Sequence, residues 1–323
     1  MIIGIDVSKL KIDVCCLLNG KKQSKLFKND ESGFNELFKW VKTLKAAEKP
    51  VFCMEATGCY HEALAEYIYD AGYKVSVVNP LLIKRFRESK MVRQKTDKSD
   101  ASIIAEYYLQ NEPLSWKPSP PEIKELRDIN RHLDCLNGEL RRWTNRLEKK
   151  HHNQKVKENI DKKIAELKKE IKEFKEIAKS LIKSLPTLAP KAELLDEIVG
   201  VGEMSTLTIL SEIPDVANFA NAEQYTAFVG ITPSHYSSGT SVKGQSKISR
   251  YGNPRIRKSL YMAAIIVKNH NPHFTKWVKK LENKGKTPKI IIVAVMRKLL
   301  RIAYGMLKSN QQFDAKLAFG GDV

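Results

Sequence analysis

Asp6 ends the apolar run "MIIGID", and Glu55 ends "VFCME". A third segment, "KTDKSDASIIAEYY", carries Asp97 and Asp100. With Thr96 as the N-cap of a helix, these two acids fall one turn apart on the same helix face. A carboxylate on a first strand, one on a neighbouring strand end and two on a facing helix can converge. Four acids in one place repel each other unless a cation neutralises them, and hard oxygen ligands favour Mg²⁺ or Mn²⁺ over zinc. Paired metals of this kind clamp the attacking and leaving oxygens of a phosphoryl transfer. Singly, each acid reads as a cap, a turn residue or half of a surface ion pair. It is the four together, with Asp6 flanked by apolar residues, that point to a metal site.

A second group is the hydroxyl run "HYSSGTS" at 235–241. It sits near the start of a stretch, Gln224 to Leu281, that contains no Asp or Glu, and residues 241–280 hold ten Lys and Arg. Such a stretch is a phosphate-binding surface. Lys243, Lys247, Arg250, Arg255, Arg257 and Lys258 are the expected contacts. Hydroxyls embedded there form either a flexible polar loop or a nucleophile aimed at a phosphodiester. A serine hydroxyl is a poor nucleophile near neutral pH and needs a base or a metal. His235 is the one obvious base nearby in sequence.

The elements that must position these groups are legible in outline. Residues 1–114 alternate strand and helix patterns. "MIIGIDVS", "KIDVCCLL" and an edge strand at "SKLFKND" form a hairpin meander. Helical "GFNELFKWVKTL", strand "PVFCMEATG", helix "HEALAEYIYDAG" and strand "KVSVVNP" follow. This predicts an α/β layer fold. "SWKPSPPE" at 115–122 is a linker. Two heptad runs come next, Leu126 to Leu147 and Ile160 to Leu185, around the polar "KKHHNQKVKEN". They predict an antiparallel helical hairpin or a coiled-coil arm over 115–190. Residues 141–180 carry 14 Lys/Arg against 7 Asp/Glu, which suits a solvated face or a basic arm touching nucleic acid. Residues 191–323 read as mainly α-helical. In "LLDEIVGVGEMSTLTILSEI", Gly200 and Gly202 form a helix-hairpin-helix-like turn, able to offer backbone N–H groups to a phosphate or simply to pack.

The formal net charge of +19 over 323 residues favours a polyanionic partner. The five cysteines include no CxxC pair, so small buried thiols in a reducing compartment are expected. "MIIGIDVSK" has neither the basic nor the apolar region of a signal peptide, and no window reaches the length of a membrane span. A cytoplasmic, nucleoid-associated protein is the expectation.

The blocks "IGIDVSKLKIDV", "CMEATGCYHEALAEYIYDAGYKVSVVNP", "VRQKTDKSDASIIAEY", "LLDEIVGVGEMSTLTILSEI", "YTAFVGITPSHYSSGTSVKGQSKISRYGNPRIRKSLYMAA" and "VMRKLLRIAYGMLKS" resemble the DEDD-type transposases of bacterial insertion sequences, which work as bridge-RNA-guided recombinases. The resemblance spans nearly the whole chain. It implies a RuvC-like (RNase H-type) domain over 1–114 with Asp6, Glu55, Asp97 and Asp100 as its acids and Mg²⁺ as its cofactor. It implies a transposase domain over 191–323 with a catalytic serine. In the family pattern that serine directly precedes a glycine after Pro-x-x-Tyr-x, which here selects Ser238; Ser237 stands beside it. Double-stranded DNA at element ends and target, a structured guide RNA and a homo-oligomer, dimer or tetramer, are the implied partners, with the RuvC-like domain of one protomer facing the serine domain of another. Base pairing would then choose the sequence. Three other readings compete. A RuvC-like junction-resolving nuclease would use the same acids with water as nucleophile. An actin-like sugar kinase or ATPase shares the opening Gly-Ile-Asp strand but needs Gly-rich phosphate loops absent here. A non-catalytic DNA-binding protein leaves the four acids unexplained.

Overall fold

The structure, a computed structural model, describes residues 1–44, 48–91, 97–150, 152–234, 237–238, 242–243, 247–249 and 251–319, with the backbone alone at 97, 98, 234, 237, 238, 242, 243 and 247. Thr96, the expected cap, lies outside the described residues. The chain divides into two compact units, Met1–Pro118 and Ser119–Val323.

The first unit runs β1 (Ile2–Val7), β2 (Lys11–Leu18), β3 (Lys21–Lys28), α1 (Glu31–Thr43), β4 (Val51–Glu55), α2 (Glu62–Asp70), β5 (Lys74–Val78), α3 (Pro80–Ser89) and α4 (Asp97–Asn111). The sequence pattern predicts every one of these except α3. The sheet order is β3-β2-β1-β4-β5. β1 and β3 flank β2 antiparallel, while β1, β4 and β5 run parallel. Strand side chains alternate between faces, and the register sorts them cleanly. Ile3, Ile5, Val14, Cys16, Phe52 and Met54 share one face and pack on Phe34 and Leu37 of α1 and on Leu64 and Ile68 of α2. The opposite face presents Ile2, Gly4, Asp6, Cys53 and Glu55, and α3 and α4 cover it through Ile83, Ile103, Ile104 and Tyr108.

α4 crosses β1 at Gly4 with no side chain between them. A Cβ built on Gly4 comes within 2.5 Å of the Ala105 nitrogen and closer still to the Ala101 carbonyl. Glycine therefore seats the helix directly on the strand.

The second unit opens with the heptad helices α5 (Pro121–Leu147) and α6 (Gln154–Ser184). They pair through Leu126, Ile129, Leu133 and Leu136 on one side and Leu167, Ile171 and Ala178 on the other. Both share a core with the helices that follow: α7 (Ala189–Asp196), α8 (Glu203–Glu212), α9 (Ala222–Val229), α10 (Pro254–His270), α11 (Pro272–Asn283), α12 (Pro288–Ser309) and the short α13 (Ala315–Phe319). α8 is buried from Ser205 through Glu212 and forms the centre of the unit. Between α9 and α10 the chain makes a narrow ribbon. β6 (Pro233–Ser234) pairs with β9 (Lys247–Ile248), and β7 (Ser237–Ser238) pairs with β8 (Val242–Lys243). Among the described residues no helix is long and apolar enough to cross a membrane. All five cysteines are free; Cys15, Cys16 and Cys53 are buried as expected, but Cys59, in the loop after β4, and Cys135, on the outer side of α5, are exposed.

Candidate active site

The parallel ladder pairs Ile5 with Met54, so one step further Asp6 stands beside Glu55. Both lie at the carboxyl ends of adjacent parallel strands, where open α/β sheets take their ligands. On the other side of β1 the antiparallel register sets Asp13 directly opposite Asp6. Asp13, Asp6 and Glu55 thus form a row across three strands on the face that α4 covers. Like charges in such neighbouring positions are unfavourable unless something positive offsets them. Lys11 reaches Asp13 at 3.3 Å. The alternation within "KIDV" and the short β1–β2 connection carry the signal for Asp13, but only the register shows which residue it faces.

The contact at Gly4 brings the first turns of α4 to this end of the sheet. Asp100 precedes Ala101 and is 8% exposed. It does not stand open: Arg87 of α3 donates to it at 2.6 Å, and the Arg87 Nε is buried without a partner among the described residues. Asp97 starts α4, and its carboxylate lies outside the described residues. Further along α4, Glu106 takes hydrogen bonds from Lys22 of β3 and Lys90. Burial alone would raise its pKa, yet these two bonds outweigh burial and hold it below the usual carboxylate value.

Two loops leave the acid row, and one side chain ties them. Asn29 Nδ2 donates to the Ser8 carbonyl at 2.8 Å and to the Tyr60 carbonyl at 3.1 Å. Ser8 follows Asp6 closely and Tyr60 follows Glu55, so Asn29 sets the spacing of both strand ends. His61 closes the second loop. It is buried, and burial lowers its pKa below the usual histidine value.

A divalent ion tests this arrangement. The row Asp6–Glu55 supplies hard oxygens of the right type on one face. Among the described residues, however, no group of three or more His, Cys, Asp or Glu side chains is gathered closely enough to hold a metal, and Asp100 is engaged by Arg87. The strand acids fit a hard cation; Asp100 joins them only if Arg87 yields.

In the second unit, Ser237 pairs with Lys243 and Ser238 with Val242. His235, Gly239 and Arg250 lie outside the described residues, as do the side chains of Lys243 and Lys247. The base of the ribbon is firmly built. Ser249 N–H donates to the Thr232 carbonyl at 3.1 Å. Gly252 lies against the backbone of Phe228 and Val229, and Gly230 adopts φ +79° beside it. Arg257 Nη1 donates to the Val229 and Gly252 carbonyls at 3.1 and 2.6 Å. Through Nη1 it therefore braces this crossing. Arg255 and Lys258 flank Asp134 of α5 as ion pairs while remaining about half exposed, so a phosphate there competes with one carboxylate. Glu212, at the end of buried α8, accepts from Arg131 Nε at 3.0 Å and from Asn253 Nδ2 at 2.7 Å. Asn253 in turn caps α10 through the Arg255 N–H. No sequence pattern marks Glu212 or Asn253; their roles arise only from three separate segments meeting.

The turn between α7 and α8 has mixed character. Gly200 takes φ +97° and presses on Val267 of α10, which makes it a packing glycine. Gly202 caps α8 with nothing within 4 Å of a built Cβ.

Residues 3–183, spanning the acid-bearing unit and both heptad helices, match a family model described as a transposase of the DEDD, IS110 type. Residues 192–279, including the ribbon, match the transposase IS116/IS110/IS902 family. The chain belongs to this transposase family. Pilin gene-inverting proteins of Moraxella bovis and Moraxella lacunata are each 35% identical to the transposase over 323 residues, covering 98% of both chains. An uncharacterized protein of insertion element IS110 from Streptomyces coelicolor is 22% identical over 142 residues, 44% of this chain and 35% of that one. The transposase is accordingly an enzyme of DNA transposition and recombination.

Proposed function

We propose that this transposase cuts and rejoins DNA through a covalent serine intermediate, with a metal-binding RuvC-like unit and a structured guide RNA. The observation that carries the proposal is the placement of Asp6 beside Glu55 at the ends of parallel strands, with the start of α4 seated over them at Gly4. The sheet order, three antiparallel strands extended by two parallel ones, supports an RNase H-type unit. Asp6, Glu55, Asp97 and Asp100 would hold Mg²⁺ or Mn²⁺, which when bound offsets negative charge developing on a phosphodiester.

The Ser238 Oγ attacks phosphorus, its proton passing to a base for which the sequence offers His235. The bond from phosphorus to the displaced sugar oxygen breaks, and that oxygen takes up a proton. The phosphoserine ester preserves the phosphodiester energy, so a DNA hydroxyl can reverse the step and rejoin strands without ATP. Rejoining in a new partnership gives excision, insertion or inversion; the full-length similarity to pilin gene-inverting proteins supports including inversion. Lys243, Lys247, Arg250, Arg255 and Lys258 would contact phosphates. Duplex DNA, the guide RNA and further copies of the chain, assembled through the heptad arm as a coiled coil, are the proposed partners, in the cytoplasm on the nucleoid.

Trapping on a suicide DNA substrate tests the chemistry. Ser238→Ala should abolish the covalent protein–DNA adduct on a denaturing gel while nucleic-acid binding persists. Consecutive strand positions stand on opposite sides of a ribbon, so Ser237→Ala should keep most activity. An adduct that survives Ser238→Ala and disappears with Ser237→Ala moves the nucleophile by one residue. If neither change matters, water is the nucleophile and the enzyme is a junction-type nuclease. RNA sequencing of the purified protein tests the guide.

A further inference from the structure

The tip of the heptad hairpin, far along the chain from both the acid row and the ribbon, holds a cavity of about 470 Å³. Its walls come from the end of α5 and the start of α6: Trp143, Arg146, Lys149, Lys155, Val156 and Ile160, with Asn153 and Asn159 completing it. Three features set it apart from an ordinary groove between helices. It is within the size range of small-ligand sites. Its floor is apolar and aromatic, yet its rim carries three cations and no acid. The Arg146 guanidinium also lies over the Trp143 ring at 4.6 Å, so cation and ring form a stacked pair at the cavity wall, on which a further flat group can layer.

The charge around it is one-sided. Residues 141–160 contain seven Lys and Arg and two acids, Glu148 and Glu158. Neither acid lines the cavity, and Glu158 is engaged by Gln154 at 3.1 Å. Trp143 packs in part against the core of the second unit, and among the described residues neither Lys149 nor Lys155 beside it makes an ion pair. A simple anion would use the cations but not the ring; an apolar side chain of a partner would use the ring but meet the cations. A nucleotide uses both, since its base stacks on a ring or a guanidinium plane and its phosphate pairs with ammonium groups.

We infer that the arm tip is a binding site for one unpaired nucleotide of a nucleic-acid strand, its base against Trp143 and Arg146 and its phosphate held by Lys149 and Lys155. This rests on the nucleic-acid reading proposed above. It adds a site that does no chemistry and whose loss leaves the acid row and Ser238 intact. A duplex end or an internal base pair does not suit it, because the base must be free to enter.

The test uses the full-length protein and short oligonucleotides carrying 5-iodouracil, as RNA and as DNA, with an abasic strand and a duplex as controls. Photo-crosslinking followed by peptide mapping should place an adduct on Trp143. Lys149→Glu combined with Lys155→Glu alters only exposed side chains and should remove that adduct and weaken single-strand binding about tenfold, leaving duplex binding much less affected. Trp143→Leu should weaken intact strands by about fivefold or more, the scale of one lost stack, and abasic strands hardly at all. Stronger crosslinking of the RNA or of the DNA probe names the source of the nucleotide. Crosslinks confined to other peptides, with both variants binding single strands like the unaltered protein, overturn the arm-tip site and leave the nucleic-acid reading standing. Equal loss of intact and abasic strands in Trp143→Leu overturns the stacked base. Absence of binding to any strand, single or duplex, overturns both.

Discussion

Neutralising a strand acid removes a charge without removing bulk. Asp6→Asn and Glu55→Gln should therefore lower strand cleavage by about a hundredfold or more, several kcal/mol of lost charge stabilisation, while DNA and RNA binding stay near the original level in a gel-shift assay. Asp97→Asn and Asp100→Asn carry the same expectation. Full cleavage in chelator, or in two of these variants, removes the metal from the mechanism. Arg87 adds a sharper test. Its bond to Asp100 is largely buried on both sides, so Arg87→Gln should destabilise the protein by about 1–3 kcal/mol. If Asp100 is a metal ligand, Mg²⁺ should raise the melting temperature of Arg87→Gln more than that of the unaltered protein; an equal shift means that Asp100 is a structural anion. The strand-end positions of Asp6 and Glu55 were legible from sequence because each closes an apolar strand pattern. Asp13, Asn29 and Arg87 were not, because their roles depend on which residue lies across a ladder or on a neighbouring helix, and residue type alone does not encode that.

Among elements, α4 shows most directly how the fold positions the acids. Gly4→Ala forces a methyl group into the Ala101–Ala105 backbone. Overpacking of this kind costs about 1–3 kcal/mol or more, and here it also lifts α4 from the strand acids. Cleavage should fall further than the loss of melting temperature explains. The same helix is held at its other end by Glu106 between Lys22 and Lys90. The folded-state pKa of Glu106 is depressed, so its stabilising effect is present above the ordinary carboxylate value and lost as pH falls through the depressed one. Glu106→Gln should flatten the acid limb of the unfolding-versus-pH curve. Most strands and the heptad helices were readable from period-2 and heptad spacing. α3 was not: "PLLIKRFRES" buries only Ile83 fully and exposes Leu82, so its apolar positions trace no clean stripe. The ribbon was missed for a related reason, since two-residue strands are too short to show any period.

For the molecule as a whole, the charge of +19 makes salt the decisive variable. Each phosphate contact contributes about 0.9 to the slope of log affinity against log salt. Arg255→Ala with Lys258→Ala should therefore lower that slope by roughly two, less whatever their pairing with Asp134 already absorbs. Arg257→Ala should behave differently. It removes hydrogen bonds to Val229 and Gly252, so the melting temperature should drop while the salt slope stays nearly constant. A slope change for Arg257→Ala as large as that of the double variant would mean that it faces phosphate after all. Composition alone ranks these arginines as equals; only the backbone carbonyls around one of them tell them apart.

The bare contact at Gly4 has one more consequence. Where side chains separate two elements, substitutions change their distance a little at a time, and compensating changes can restore it. Where backbone rests on backbone, the separation is a fixed gauge set by atomic radii, with no adjustable part. The acid-bearing face of the first unit is built on such a gauge, while the opposite face, filled by Ile5, Phe52, Leu37 and Ile68, is an adjustable joint. Substitutions such as Ile68→Val should then shift melting temperature and leave the rate of cleavage by the folded enzyme unchanged. Sequence drift can accumulate on that face of the sheet without detuning the other.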